Sequence, residues 1–299
     1  MFDFDRYHID AEIIEDSVNT VNNKRISTLK IRVPRMILAE FNTHRILSKN
    51  FSSSRAIPAK KIREEVLHNP MMPVYWGANK SGMSASEELT GWRKAAAKFV
   101  WKLTGKINAG SHWLLEKIGL HKQTCNRIVE PWLSVTGTVT GTDWDNFFKL
   151  RLDENAQPEM QCLAYSIKQA LDNSSPKLLQ TNEVHLPYVD QEERQKYDME
   201  TLVKISAARC CRTSYNNMLG KKSQPDEDVK LYERVSTNGH FSPLEHIAFV
   251  PHNGLLRKVV HKDLQRNLNG WYQFRAFVDT PKNATLLSTN YNLDLTDKQ

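Results

Sequence analysis

Residues 40–55 read EFNTHRILSKNFSSSR and gather His44, Arg45, Asn50, Arg55 and four serines, Ser48, Ser52, Ser53 and Ser54. Guanidinium groups spread through a donor-rich segment suit an anion, most simply a phosphate monoester. The planar fork of arginine meets phosphate oxygens two at a time, and hydroxyls supply further donors. Taken by itself the stretch has a plainer reading. Serines after a helix are usually turn formers, and an isolated His-Arg pair usually lies on a surface.

Two elements must position this stretch. Residues 26–33 alternate apolar and polar side chains and predict a half-buried strand, preceded by a β segment at 11–16 and a polar turn at 22–24. Pro34 then fits the first position of a helix in which Met36, Ile37, Phe41, His44 and Leu47 recur at helical spacing. That helix is expected to end near Asn50, where serines compete for backbone hydrogen bonds and Pro58 blocks continuation.

H-R-x-x-S-x-N-x-x-S-x-R, read from His44 to Arg55, resembles the signature of the flavin-dependent thymidylate synthases. Four further stretches resemble segments of that family. They are 121–131 with Arg127, 143–157 with Asn146, Leu150, Arg151 and Gln157, 211–215 with Ser214, and 238–246 with His240, Ser242 and Glu245. The resemblance implies an α+β fold with a mixed or antiparallel sheet and long helices, as one catalytic domain over 1–299. It implies reductive C5 methylation of dUMP to dTMP, with FAD as cofactor and NADPH and methylenetetrahydrofolate as co-substrates. Arg151 would be catalytic, polarising the pyrimidine. Glu40, Ser53, Ser54, Arg55, Arg127 and Arg151 would hold the nucleotide monophosphate. His44, Arg45, Asn50, Asn146, Ser214, His240, Ser242 and Glu245 would hold the flavin, in a homotetramer whose sites draw segments from several subunits.

This chain departs from the family pattern in identifiable ways. Thr43 replaces an arginine, Glu40 a glutamine and Phe51 an acidic residue, and Thr140-Gly141-Thr142 stands where a flavin-contacting arginine segment is expected. An ionised glutamate only accepts hydrogen bonds, so Glu40 suits an amino group and makes dCMP an alternative base, for methylation or hydroxymethylation. The 211–215 and 238–246 segments follow the His-Arg motif rather than precede it, through permutation or through two quasi-equivalent strand-helix halves. Arg275, with Trp271 and Gln273, is expected to replace the missing charge.

Along the rest of the chain, 58–82 and 216–228 are expected to be loops, and 84–119 helical with a second helix from about 110. Leu89, Trp92, Ala96, Phe99, Val100 and Leu103 form an apolar stripe expected to face the core. Residues 133–142, rich in β-branched residues and glycine, predict a strand with a bulge or a close backbone approach. Helices are expected at 159–171 and 191–209.

With 40% hydrophobic and 25% charged residues, the composition is that of an ordinary globular protein. No apolar run reaches membrane-spanning length and the first ten residues lack a signal-peptide layout, so a cytoplasmic location is expected. The four cysteines form no CxxC pair and read as reduced structural thiols. His240, Glu245 and His246 do not have zinc-motif spacing, and no metal is expected. The net charge of +7 suits anionic partners. A non-catalytic basic nucleic-acid-binding protein is the alternative from another class, although no nucleic-acid motif is present. A nucleotide or flavin binder that has lost its catalytic step is a further alternative.

Overall fold

The computed structural model describes residues 9–82, 84–85, 87–217, 220–253, 255–256 and 260–294. β1 (Asp10–Asn19) and β2 (Arg25–Pro34) form an antiparallel hairpin, with Asn23 at positive φ in its turn. In β2, Leu29, Ile31 and Val33 are buried while Lys30 and Arg32 are only half-buried, the alternation expected of a strand with one face on the core. After Pro34 come a 3-10 turn, Arg35–Ile37, and a single helical turn, α1 (Leu38–Phe41). The chain then turns through 42–47 and becomes an edge strand, β3 (Ser48–Phe51).

The helix expected from Pro34 to Asn50 therefore stops at Phe41. β3 pairs antiparallel with β4 (Ser134–Gly141), Ser48 opposite Thr140 and Phe51 opposite Gly137. Glycine makes the pairing possible. A Cβ on Gly137 would lie 2.2 Å from Phe51 Cδ1, and one on Gly141 would lie 2.6 Å from Leu47 Cδ2. The close approach expected in 133–142 is thus the seat of the functional loop. Gly137→Val should force Phe51 off the sheet and cost about 1–3 kcal/mol, read as a lowered thermal midpoint. An unchanged midpoint would contradict this packing.

Between β3 and β4 lie α2 (Ala59–His68), α3 (Gly91–Lys117), α4 (Lys122–Cys125) and a 3-10 segment, Asn126–Trp132. Residues 59–68 are therefore helical rather than loop, because Ala59, Ile62 and Val66 bury one face. α3 is one uninterrupted helix, not two. Its apolar stripe faces outward, with Trp92 77% and Phe99 66% exposed. The inward face uses small residues instead. Gly105 lies where a Cβ would meet the Trp132 ring at 3.0 Å, and Ala109 is buried beside Ile62 and Val66.

α5 (Asp145–Arg151) and α6 (Pro158–Asp172) follow β4, and β5 (Lys177–Leu179) closes a five-stranded mixed sheet in the order β3-β4-β2-β1-β5. α6 packs across β1 and β2, burying Met160, Leu163 and Ile167 with Leu29, Ile31 and Val33.

The remainder is mostly helical. β6 (Val184–His185), α7 (Gln191–Lys196), α8 (Met199–Arg212), α9 (Pro225–Thr237), β7 (Ala248–Phe249), α10 (Val260–Gln265), β8 (Tyr272–Gln273), α11 (Phe274–Val278) and α12 (Pro281–Tyr291) follow in order. The helix expected at 191–209 is broken by Asp198, which caps α8, and the loop expected at 216–228 ends where Pro225 opens α9. β6, β7 and β8 form a small antiparallel sheet. The two halves are unequal in sheet size. Ile26, Leu179, Ala248, Val250, Leu268 and Trp271 join them in one apolar cluster.

Candidate active site

Arg151 ends α5 with its side chain largely covered. Its Nε donates to His44 Nε2 at 2.8 Å, and its Nη1 donates to Glu40. A histidine nitrogen that accepts from arginine must be neutral, which places the imidazole proton on Nδ1. Burial, together with the nearby charges of Arg151 and Lys49, lowers the His44 pKa to about 4. The ring packs edge-on against Phe147 at 5.0 Å between centroids. Arg151 is thus a fixed positive charge steered by one neutral and one anionic acceptor. Lys49 reaches the His44 carbonyl, and burial lowers its pKa to about 8.

Arg151 opens onto a cleft of about 990 Å³ with three walls. The turn 43–46 supplies one, residues 143–151 the second, and residues 262–269 the third. Arg45 and Asn146 line it with side chains that make no hydrogen bond or ion pair among the described residues, and Lys262, Gln265 and Arg266 face them. Asp143 and Asp145 also line the cleft and Arg266 is paired with Asp279, so Arg45, Lys262 and Asn146 are the donors left open to a phosphorylated ligand such as a flavin dinucleotide.

The C-terminal segments reach the same region through β3. Asn50 Nδ2 donates to the carbonyls of Cys210 and Cys211 at 2.8 and 3.2 Å, tying the edge strand to the end of α8. Ser48 Oγ accepts from Asn267 and Gln273, and Gln273 also donates to the Glu245 carbonyl. Asn50 and Ser48 therefore serve here as couplers between halves. Thr213, at φ 54, ends α8 in the left-handed conformation and turns Ser214 away from it. Ser242 opens the 3-10 turn Ser242–His246, which packs on β3, and Glu245 is ion-paired with Arg275, itself bonded to Asp279. His240 is exposed. His246 is buried and bonded to Thr140. Trp271 donates to the Lys24 carbonyl inside the joint between the sheets, so its indole is a structural group.

A second cluster lies beyond the other end of β3. Glu130 accepts from Ser54 Oγ at 2.8 Å and Arg127 at 2.9 Å, and Arg35 stands 3.5 Å away. Arg35 also donates to the Ser52 carbonyl, and burial lowers its pKa. Ser53 Oγ accepts from the Arg55 backbone N–H, and the Arg55 side chain is exposed. Ser53, Ser54, Arg55 and Arg127 are thus together, but none of them touches Arg151 within one chain.

Several residues of these sites escaped the sequence reading. Arg35 and Glu130 sit beside motif residues and form a pair nearly a hundred positions apart, so no local spacing marks them. Lys262, Gln265 and Arg266 belong to a polar stretch without a motif. The cysteines behave as expected of structural thiols. Burial raises Cys162 to about 12 and also raises Cys210 and Cys211. Among the described residues, no group of three His, Cys, Asp or Glu is placed to hold a metal, and no helix is long and apolar enough to cross a membrane.

A family model described as thymidylate synthase complementing protein matches residues 11–177, a span containing the Arg151, His44 and Glu40 cluster and the Glu130 cluster. Among solved structures, a UMP/dUMP methylase, PolB, from Streptomyces cacaoi, bound with 5-Br UMP, is similar at 11% identity with a TM-score of 0.42. The similarity covers 55% of this chain and 88% of that one. No curated protein matches.

Proposed function

Because this chain belongs to the thymidylate synthase complementing protein family, the flavin-dependent thymidylate synthases, we propose that it methylates dUMP at C5 to give dTMP. Methylenetetrahydrofolate would be the one-carbon donor and NADPH the reductant. The observation that carries this reading is Arg151, a guanidinium held by neutral His44 and by Glu40 in the lining of a cleft of about 990 Å³. Positive charge fixed beforehand beside a pyrimidine stabilises the enolate-like anion that develops when C5 acts as a nucleophile.

Arg45 and Asn146 would hold the flavin, with Lys262 and Arg266 across the cleft. When bound, FAD would supply the redox chemistry of the methyl transfer. His44 keeps Arg151 in position through Nε2, which is occupied as an acceptor. Ser53, Ser54, Arg55 and Arg127 would bind the nucleotide phosphate. In this reading they face the Arg151 of another subunit in a homotetramer, which accounts for their separation within one chain. Ser214, His240, Ser242, Glu245 and Arg275 would complete the flavin site from the C-terminal half. A cytoplasmic, single-domain enzyme is consistent with this reading.

A specific observation favours dCMP as a second substrate. Glu40 already accepts from Arg151, and a carboxylate has further lone pairs for a cytosine amino group. The test is tritium release from C5-labelled dUMP and dCMP, side by side, with FAD, NADPH and methylenetetrahydrofolate. Release from dUMP with dTMP formed supports the first reading, and release from dCMP alone supports the second. Glu40→Gln should shift the ratio toward dUMP by about tenfold, roughly 1.4 kcal/mol. No release from either nucleotide by a yellow, folded protein would overturn both.

A further inference from the structure

α3 lies on the molecule with one face anchored on α2 and the 3-10 segment Asn126–Trp132. At about 1.5 Å per residue it runs roughly 40 Å. Its opposite face is apolar along nearly the whole length, with Trp92 77%, Phe99 66%, Ile107 59% and, at the C-cap, Ile118 70% exposed. At about 100° per residue these positions, with Ala96, Leu103, Gly110 and Leu114, fall within a stripe roughly 100° wide. A monomer's largest apolar patch is typically about 300–600 Å², and single aromatic side chains alone bury about 150–250 Å². A face of this kind matches one side of an ordinary interface, about 800 Å² per partner.

The order of side chains along the stripe identifies the occupant. Around Leu103 it is a size palindrome. Ala96 and Gly110 stand seven residues to either side, Phe99 and Ile107 four, and Trp92 and Leu114 eleven. In an antiparallel pair related by a two-fold through Leu103, small would meet small and large would meet large. That self-complementarity is what an isologous interface requires. Gly110 supports the same arrangement. Glycine inside a helix is unfavourable, and a Cβ built there meets nothing within 4 Å. Nothing among the described residues accounts for it, whereas the close approach of a second helix would. The cations also fit. In this register Arg93 falls opposite Trp113 of the second copy, Lys98 opposite Asn108, Lys102 opposite Thr104 and Lys106 opposite Val100, so no cation faces another.

We propose that the outer face of α3 is a self-association surface, packed antiparallel against α3 of a second copy of this chain about a two-fold axis at Leu103. The interface stands on helix geometry alone, and an inactive dimer would satisfy it equally. The test uses the full chain. In Leu103→Cys, the introduced thiol lies on the axis and should form a disulfide-linked dimer nearly completely under mild copper-phenanthroline oxidation. Trp92→Cys and Leu114→Cys should each link poorly alone and efficiently when combined in one chain. Phe99→Glu with Ile107→Glu should at least halve the mass measured by light scattering, with the far-ultraviolet circular dichroism unchanged. Raising the salt concentration should leave the wild-type mass unchanged or strengthen association. Failure of Leu103→Cys to cross-link in folded protein would overturn the proposal. A monomeric wild type that pellets with phosphatidylserine vesicles and is released by salt would overturn it too, and would assign the face to a lipid surface.

Discussion

Arg151→Ala is expected to lower kcat by about 10²–10³, the scale on which one preorganised charge at a developing anion acts. The argument is geometric. Arg151 has its Nε committed to His44 and its Nη1 to Glu40, so its orientation is set before any ligand arrives. Arg151→Lys keeps the charge but has no second nitrogen to hold the same pose, and should recover only a small part of the rate. A general collapse would give the same loss, so stability must be measured alongside. The side chain lines a cleft and belongs to no apolar cluster, and the thermal midpoint should move little. Rapid flavin reduction by NADPH should persist in Arg151→Ala while nucleotide turnover fails. Unchanged turnover would remove Arg151 from the mechanism.

The largest stability effect is expected at Arg209. Its side chain is fully buried and donates to Glu193 through two nitrogens at 2.6 and 2.7 Å, to Asp228 at 2.9 Å, and to the Tyr188 carbonyl at 2.7 Å. Asp228 is also fully buried and pairs with Arg212. One guanidinium therefore staples α7, α8 and α9. Arg209→Ala leaves two carboxylates partly uncompensated and should cost about 3–5 kcal/mol, a large share of the roughly 5–15 kcal/mol that holds a domain folded. Urea unfolding would read it as a lower midpoint with a similar slope.

The acid limb supplies a second check. Burial alone would raise the Glu193 pKa, but the hydrogen bonds from Arg209 and from the Asp190 backbone outweigh it and hold it below the usual value. A carboxylate depressed in the folded state contributes stability above its unfolded pKa of about 4.3. That contribution is lost as pH falls through the depressed value. Wild type should lose stability there more steeply than Arg209→Ala. The consequence extends to the site, because the end of α8 supplies the carbonyls that hold Asn50.

Much of the candidate site was readable in residue types alone. The resemblance pointed to Arg151, His44, Glu40, Ser54 and Arg127 one by one without pairing them, and the glycines of 133–142 marked a close approach of the backbone. Local patterning also described β2, whose alternation needs only one buried face, and α6, whose apolar residues recur every three to four positions.

What the sequence by itself determined was the chemistry the chain can offer and the elements with strong local periodicity. Only the tertiary structure decided what those elements meet. Residues 48–50 fall inside the helix expected to end near Asn50 but pair as a strand with Phe51, because β4 offers an open edge and Gly137 makes room for Phe51. The stripe on α3 is as apolar as a core face yet points outward, since hydrophobicity specifies burial without naming the surface that provides it. Arg35 finds Glu130 across nearly a hundred residues. Contacts of that kind depend on how sheets and helices close around one another, and no spacing along the chain encodes them.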